Sequence, residues 1–255
     1  MKKDFPILEY DHSKKSVLNP EELIKRNCDV PESCVISFFY DVIDHLAEKN
    51  LLREIASLNS EMGKHPVYEL EIGDRKVALF HPGVGAPLAA ALFEEVIALG
   101  CKKFIACGGA GVLDKNITAG HLIIPVAALR DEGTSYHYLP ASRCVEPSPK
   151  ALNAIKKVLE EHNIEYTLSK TWTTDGVYRE TRDKVLFRKE EGCLTVEMEA
   201  AALFAVGKFR NVDVAQILYG GDNLDSIKWD DRDWQNNWNV REKLIWLAAE
   251  ASLLI

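Results

Sequence analysis

The sequence predicts a single α/β domain in which a central mixed, mostly parallel twisted sheet is flanked by helices. Apolar runs of strand length alternate along the chain with segments of helical spacing. These runs are apolar throughout rather than at every second residue, which is typical of strands that are buried on both faces. The 255 residues are 47% hydrophobic and no Pro/Gly/Ser-rich linker divides them, so one large core is expected. Residues 1–30 are polar and irregular and form an N-terminal extension, and residues 31–255 form the α/β domain.

The first half of the chain contains four predicted strands and three predicted helices. The strands cover residues 35–39, 67–72, 76–80 and 103–107, and the helices cover residues 20–26, 41–49 and 87–99. Gly73 and Asp74 form the turn of a hairpin between the second and third strands. Gly100 ends the third helix, because glycine tolerates the backbone conformation that follows a helix.

The second half continues the alternation of strands and helices. Strands are predicted at residues 121–130, 166–173 and 214–219, and helices at residues 149–161, 198–209 and 240–253. Most of the predicted strands end in glycine or polar residues. Because ligands of such sheets gather at the carboxyl ends of the strands, we expect the functional side chains there.

Composition and charge exclude several classes of function. The net charge of −8 argues against a nucleic acid or an anionic membrane as partner. The longest apolar stretch, residues 77–93, is interrupted by a histidine and two prolines and does not predict a membrane span, and the N-terminus has no signal-peptide pattern. The six cysteines show no metal-ligand spacing, which indicates reduced thiols, no metal site and a cytoplasmic location.

Two glycine-rich segments follow predicted strands. Residues 108–111 are either a ligand-binding loop with exposed amides or a tight turn, and they are not a P-loop, since no G-K-[ST] follows. Gly83-Val84-Gly85 superficially suggests a dinucleotide turn. Leu88 replaces the third glycine of that pattern, so a nicotinamide enzyme is disfavoured.

Carboxylates stand at two other predicted strand ends. Glu197 and Glu199 flank Met198 just before an Ala-rich helix. The helix N-terminus alone favours negative charge, but a carboxylate also accepts the two hydrogen bonds of a vicinal diol, such as that of ribose. Asp222 follows Gly220-Gly221 and is either a turn cap or a general acid whose pKa burial would raise.

These segments, between about residues 67 and 225, together resemble the nucleoside phosphorylase family, which includes purine nucleoside phosphorylases, uridine phosphorylases and methylthioadenosine nucleosidases. The run 196–200 matches the family signature V-E-M-E-[AS], residues 83–85 resemble its G-x-G turn, and residues 108–111 resemble its G-[ST]-x-G loop. The polar segment 130–138 is similar to a segment of uridine phosphorylases.

The resemblance implies a role for each matching position. Glu199 would hold the ribose hydroxyls, Met198 would pack on the sugar, and Glu197 would support them. Asp222 would protonate the N7 atom of a purine. The candidates for the remaining roles are Gly83, Gly108, Gly109 and Arg130 for the phosphate or other nucleophile, Thr174, Tyr178, Arg179 and Arg182 for the base, and His137 and His81 as further site residues. The Gln-x-Arg pair that reads uracil is not clearly present, so the base is left open between purine and pyrimidine.

The chain departs from the family pattern where phosphate is bound. No arginine occurs in residues 37–41, where the family carries G-D-P-x-R, and Ala106 and Gly109 replace a second arginine and the Ser or Thr of the loop. Glu69 stands where a neighbouring subunit would lend a third arginine. Since phosphate needs charge-assisted donors, either another cation, such as Arg130, Lys64 or Arg179, replaces these groups, or the nucleophile is water.

The resemblance therefore predicts a nucleoside phosphorylase, a pentosyltransferase that uses inorganic phosphate as co-substrate and no other cofactor, and yields free base and ribose 1-phosphate. Two alternatives stay open: a nucleosidase that uses water, and a nucleoside-binding protein without catalysis. The resemblance also implies a homo-oligomer, either a dimer or a hexamer.

Overall fold

A computed structural model describes residues 2–226 and 228–255, and within these residues the chain forms ten strands and seven α-helices. The strands are β1 (Ser33–Ser37), β2 (Leu52–Ser60), β3 (Gly63–Ile72), β4 (Arg75–Phe80), β5 (Lys103–Val112), β6 (Leu122–Asp131), β7 (Cys144–Val145), β8 (Tyr166–Thr174), β9 (Cys193–Glu197) and β10 (Asp213–Asn223). The helices are α1 (Pro20–Leu23), α2 (Tyr40–Glu48), α3 (Ala86–Leu99), α4 (Pro149–Glu161), α5 (Arg182–Glu190), α6 (Ala200–Arg210) and α7 (Trp238–Ser252). The predicted α/β fold with one central sheet flanked by helices is confirmed.

The sheet combines a closed ring of strands with an open wing. Strands β5, β10, β6, β8 and β9 pair in that order, and β9 returns to β5. From β5 the sheet continues outward through β1, β4, β3 and β2. Half of the ten pairings between described strands are parallel, and the predicted hairpin joins β3 to β4, with Gly73 at a positive φ of 62°. The sheet is therefore mixed, and its antiparallel pairings lie in the hairpins and at the points where the ring closes.

Two strands of the ring, β5 and β10, run well beyond their predicted ends. β5 continues through residues 108–112 and β10 through residues 220–223. The prediction that residues 108–111 form a loop is wrong, because β10 pairs with them on one side and β9 pairs with Gly111 on the other. Glycine suits this close packing, because a Cβ on Gly109 would crowd the ring of Tyr219 at 3.2 Å. The ring thus places the ends of β5, β9 and β10 together.

Both faces of the sheet are covered by helices, which explains the uninterrupted apolar runs. In β1, Val35 belongs to the buried cluster beneath α2, α4 and α7, whereas Cys34 and Ile36 belong to the cluster beneath α3 and α6. Successive residues of a strand point to opposite faces, so a strand buried on both sides has to be apolar throughout.

The N-terminal extension packs against its own chain. Lys14 donates from Nζ to the carbonyl of Phe209 at 2.9 Å, and the Asn27 amide donates to the carbonyl of Leu99 at 3.0 Å. All six cysteines are free thiols. Within the described residues, no helix combines the length and the apolarity needed to cross a membrane.

Candidate functional site

A cavity of about 310 Å³ opens where the carboxyl ends of β5, β9 and β10 meet. Its volume is at the lower end of the range typical of small-ligand sites. Its lining comes from the segment after β1 (Phe38, Phe39), the turn before α3 (Val84), the end of β5 (Gly109, Ala110, Gly111), the segment between β9 and α6 (Val196, Glu197, Met198, Glu199), β10 and the stretch after it (Gln216, Gly221, Asp222, Leu224, Trp234), the 3₁₀ segment (Val177, Glu180) and α7 (Arg241). Glu199, Met198, Glu197 and Asp222, singled out from the sequence, therefore share one cavity.

Glu197 is fully engaged by the protein. Its Oε2 accepts hydrogen bonds from the amides of Glu199 and Ala200 at 2.7 and 2.6 Å, and its Oε1 accepts one from the Thr173 hydroxyl at 2.6 Å. The same hydroxyl accepts from the Ala201 amide at 3.0 Å. The carboxylate thus caps the N-terminus of α6, where the helix dipole favours negative charge, and it fixes the segment that carries Met198 and Glu199.

Glu199 is held at the mouth of the same helix but faces the cavity. It is the N-cap residue of α6, is 6% exposed, and accepts a hydrogen bond at Oε1 from the Gly85 amide at 2.6 Å. Gly85 can present this amide because it lies in the turn at a φ of 89°, a conformation that favours glycine. Burial and then the charge of Glu197 raise the pKa of Glu199 above its ordinary value. A diol that donates to this carboxylate would offset part of the cost of its burial.

Asp222 lies at the end of β10 beside two residues that were not singled out from the sequence. Its Oδ2 accepts a hydrogen bond from the Trp229 indole at 2.7 Å. Glu180 follows the 3₁₀ segment Val177–Arg179 and lines the same cavity. Burial and then the charge of Asp222 raise the pKa of Glu180 to about 7. When two carboxyl groups are neighbours, one of them can keep its proton and donate that proton to a leaving group.

A second, more open cavity of about 650 Å³ adjoins the first and shares Val177, Glu180, Asp222, Leu224 and Trp234 with it. Of the predicted base-contacting residues, Tyr178 and Arg182 line this second cavity. Tyr178 is 95% exposed, and Arg182 is paired with Asp225 at 3.7 Å. Arg179 is exposed beside them, whereas Thr174 is buried and accepts from the Gly176 amide.

The lining of the first cavity also includes Gln216 of β10 and Arg241 of α7. Arg241 makes a bidentate pair with Asp41, at 2.7 and 2.5 Å, and its guanidinium lies 5.0 Å from the centre of the Phe39 ring. Among the residues that the structure describes, its Nε has no hydrogen-bond partner, and neither has Oε1 of Gln216. Both residues are missed by the sequence analysis, because Arg241 and Asp41 are 200 positions apart and only the fold brings them together.

Several predicted site residues lie outside both cavities. Arg130 is 4% exposed and donates from all three guanidinium nitrogens to the loop that follows it, through Ser135, Leu139, Pro140 and Ser142. It therefore does not reach the first cavity, and the expectation that it replaces a phosphate-binding arginine is not supported. Gly109 lines the cavity, whereas Gly83 and Gly108 pack behind it, against Leu88 and Phe38. His81 accepts from the Gly83 amide at Nδ1, and His137 is exposed.

Carboxyl groups outnumber cations in the lining of the first cavity. The carboxyl groups of Glu180, Glu197, Glu199 and Asp222 line it, and Arg241 is the one cation among its described lining residues. Lys64 and Arg179, the remaining alternative cations, are both exposed and are not part of the lining. No group of three or more potential metal ligands occurs in the part of the chain that the structure describes.

Comparison with known proteins places the chain in one family. The sequence model of the family described as "Phosphorylase superfamily" matches residues 34–253, which is most of the chain. A guanosine phosphorylase from Halorubrum lacusprofundi is 25% identical over 202 residues, which are 79% of this chain and 83% of that protein.

Solved structures share the fold. The uridine phosphorylase from Vibrio fischeri ES114 superimposes with a TM-score of 0.75 at 24% identity, covering 90% of this chain and 95% of that one. The AMP nucleosidase from Bacteroides thetaiotaomicron VPI-5482 superimposes with a TM-score of 0.70 at 23% identity, covering 88% and 89%. At these identities the likeness concerns the architecture.

Proposed function

The chain belongs to the phosphorylase superfamily, and on this premise we propose that it cleaves the N-glycosidic bond of a nucleoside and releases the free base. The observation that carries the proposal is the shared cavity: a buried carboxylate, Glu199, and an acid group, Asp222, line the same enclosed space at the ends of three strands. The two groups can act on the two halves of one nucleoside.

Glu199 is the group proposed to hold the sugar. The 2′ and 3′ hydroxyls of ribose would donate to its carboxylate, and Met198 would cover the apolar face of the ring. The transition state of glycosidic cleavage carries positive charge on the sugar, so buried carboxylates in contact with it stabilise that state more than the ground state. Glu197 contributes by position, because it fixes the start of α6.

Asp222 is the group proposed to protonate the departing base, with Glu180 beside it. The indole of Trp229 fixes one oxygen of Asp222. Positioned acid catalysis of this kind contributes roughly 10²- to 10⁴-fold. An acid at this place supports a purine, and the relatives divide on this point, since one is named a guanosine phosphorylase and another a uridine phosphorylase.

The charge of the cavity favours water as the nucleophile. Phosphate is an anion near neutral pH, and the single cation of the described lining, Arg241, is already paired with Asp41. Those of the four lining carboxyl groups that are ionised would repel the anion. We therefore propose hydrolysis to free base and ribose.

Phosphorolysis to ribose 1-phosphate is the second candidate. The guanosine phosphorylase and the uridine phosphorylase are named for that reaction, whereas the AMP nucleosidase is named for the other. On this alternative Arg241 would have to exchange Asp41 for phosphate. By analogy with the family we further propose a homo-oligomer, and the free thiols support a reducing compartment such as the cytoplasm.

The test is the release of free base from guanosine, inosine, adenosine, uridine and thymidine, with and without inorganic phosphate. We expect cleavage of at least one nucleoside at a rate that phosphate does not change. Cleavage that requires phosphate would instead show that the protein is a pentosyltransferase. Tight binding of a nucleoside without product would indicate a nucleoside-binding protein without catalysis. Asp222→Asn is assayed on every purine substrate found, and unchanged turnover would remove the acid role of Asp222.

A further inference from the structure

The second cavity is larger than the first, and the proposed roles of Glu199 and Asp222 leave it unused. It has a volume of about 650 Å³, against about 310 Å³ for the first cavity. The volume of the first cavity already lies within the range of small-ligand sites, so it suits an unmodified nucleoside. The second cavity is therefore space beyond what such a substrate needs.

The wall between the two cavities shows which half of the substrate the second cavity extends. Glu180 and Asp222, the acid pair proposed to act on the base, line both cavities. Of the described residues, Glu199 and Met198, proposed to hold the sugar, line the first cavity and not the second. The second cavity therefore continues the site on the side of the base.

The lining of the second cavity is largely apolar and aromatic. Val185 is buried in the apolar cluster that contains Trp172, and Leu224 packs against the same cluster. Tyr178 and Trp229 line the cavity with rings that are mostly exposed to solvent. A flat apolar group that lies against these side chains removes apolar surface from water and stacks on aromatic rings.

The charges of the second cavity favour a neutral occupant. Arg182 is the one cation among its described lining residues, and it is paired with Asp225 at 3.7 Å. An anionic group would in addition meet the carboxyl groups of Glu180 and Asp222. The lining therefore suits an aromatic or other apolar group rather than a phosphate or a carboxylate.

The chemistry of a purine identifies where such a group is attached. In a purine, N7 and the substituent on C6 lie on the same edge of the ring system. If Asp222 protonates N7, a group on C6 lies next to Asp222, at the wall that the two cavities share. We infer that the second cavity binds an apolar, preferably aromatic, substituent on C6 of a purine, so that the substrates are 6-substituted purine nucleosides. The inference rests on the proposed function and deepens it.

The first experiment compares the cleavage of adenosine, N6-phenyladenosine and 2-phenylaminoadenosine, which carries the same substituent on C2. We expect kcat/KM for N6-phenyladenosine to exceed that for adenosine at least about tenfold, as for the burial of one aromatic ring. The substituent on C2 should give no gain, because C2 is not on the edge that carries N7. Equal rates for adenosine and N6-phenyladenosine would overturn the inference, and so would an equal gain from the two phenyl positions.

Two matched variants test whether the second cavity is the place of binding. Tyr178 and Phe187 are both exposed aromatic residues, but only Tyr178 lines the cavity, whereas Phe187 lies on α5 outside it. We expect Tyr178→Ala to lower the ratio of kcat/KM for N6-phenyladenosine to that for adenosine roughly 3- to 10-fold, as for the loss of one aromatic contact. Phe187→Ala should leave this ratio unchanged. An unchanged ratio in Tyr178→Ala would overturn the inference.

A binding measurement separates failure of the inference from failure of the proposed function. The affinities of the wild type for adenine and for N6-phenyladenine are measured by calorimetry, which requires no cleavage. We expect N6-phenyladenine to bind at least about tenfold more tightly. Tighter binding of N6-phenyladenine without cleavage of any nucleoside would retain the substituent site and overturn the proposed reaction. Equal affinities would overturn the substituent site, even if adenosine is cleaved.

Discussion

Arg130 and Arg241 are both buried, yet the protein uses them in opposite ways. Arg130 donates from all three nitrogens to hydroxyls and carbonyls of the loop after β6 and lies away from the first cavity. Arg241 donates from two nitrogens to Asp41 and keeps Nε free at the cavity wall. The carboxylates Glu197 and Glu199 repeat the contrast, since the first is saturated by backbone amides and the second faces the cavity.

The difference separates groups that stabilise the fold from groups that remain available to a ligand. A buried ionic group whose hydrogen bonds are all made by the protein contributes to stability and has nothing left to offer a substrate. A buried group with an unpaired hydrogen-bonding atom destabilises the ligand-free protein, and a ligand that pairs with that atom restores the stability. Substitutions should therefore divide into those that affect folding and those that affect catalysis.

The largest effect is expected for Glu199→Gln. The amide still accepts from Gly85 but loses the charge that holds the sugar, so kcat/KM should fall about 10²- to 10³-fold, the equivalent of two charge-assisted hydrogen bonds. The thermal midpoint should stay level or rise, because a neutral amide of the same shape replaces a buried carboxyl group whose ionisation burial disfavours. Steady-state kinetics and thermal melting on the same preparation measure both.

The matched change at the saturated carboxylate is Glu197→Gln. Its NH₂ group would face amide donors of α6, so we expect a loss of about 2–3 kcal/mol in the free energy of unfolding. If both variants lost stability and activity to the same degree, the division between the two carboxylates would not exist.

Arg130→Met is expected to cost about 3–5 kcal/mol in the free energy of unfolding, because it leaves buried oxygens of the loop without donors. Activity of the folded fraction, assayed well below the melting temperature, should remain within about twofold of the wild type. Urea titration and initial rates provide the two numbers. A tenfold loss of kcat/KM with intact folding would restore Arg130 as a substrate-binding residue.

The two glycines of the turn before α3 show the same contrast between a residue needed for folding and one that also supports the site. Both have positive φ, but a Cβ on Gly83 would lie 2.3 Å from Leu88, whereas a Cβ on Gly85 would meet nothing within 4 Å. Gly83→Ala should therefore cost about 2–4 kcal/mol in stability, from backbone strain plus crowding, and Gly85→Ala about 1–2 kcal/mol from strain alone. Because the Gly85 amide holds Glu199, only Gly85→Ala should also lower kcat/KM. An equal loss of stability in the two variants would contradict this packing.

The smallest effect concerns pH. Burial and then the charge of Asp222 raise the pKa of Glu180 to about 7, while in the unfolded chain the same carboxyl titrates near about 4.3. Between these two pKa values the folded protein holds a proton on Glu180 that the unfolded chain has lost. The stabilisation from this proton is complete below about pH 4.3 and is lost as the pH rises through about 7. Glu180→Gln should lose about 1–3 °C less in melting temperature between pH 5 and pH 8 than the wild type. Identical pH dependence in the two proteins would remove Glu180 from the acid pair.

The sequence identifies most of the fold because most of its signals are local. The apolar run of β1 and the amphipathic helix α4 stand out without any knowledge of their partners. β2 is missed because only Leu58 of its nine residues is buried and the strand carries no apolar pattern. The glycines of β5 are interpreted as a loop since glycine is a poor strand residue, and only the pairing with β10 and β9 keeps them extended.

The candidate site likewise contains some residues that local sequence predicts and others that only the fold brings together. Glu197, Met198 and Glu199 are contiguous, so the signature of the family marks them. The pair of Arg241 and Asp41 joins the two ends of the chain, and Glu180 acquires its place only through the 3₁₀ segment that brings it beside Asp222. From the sequence, Arg130 is a reasonable candidate for an anion ligand because it is a cation beside a strand end. Nothing local indicates that all of its guanidinium nitrogens donate to its own loop.

The extension of β5 and β10 through their glycines restricts where ligands can enter and leave the cavity. On that side the cavity wall is continuous sheet, hydrogen-bonded to neighbouring strands, and cannot swing aside without breaking the ring. The rest of the lining belongs to segments outside the sheet: the short 3₁₀ segment Val177–Arg179, the stretch after β10 that carries Trp234, the segment after β1 and the turn before α3. A substrate and its products therefore pass between these segments, and the rate at which they open sets an upper limit on turnover.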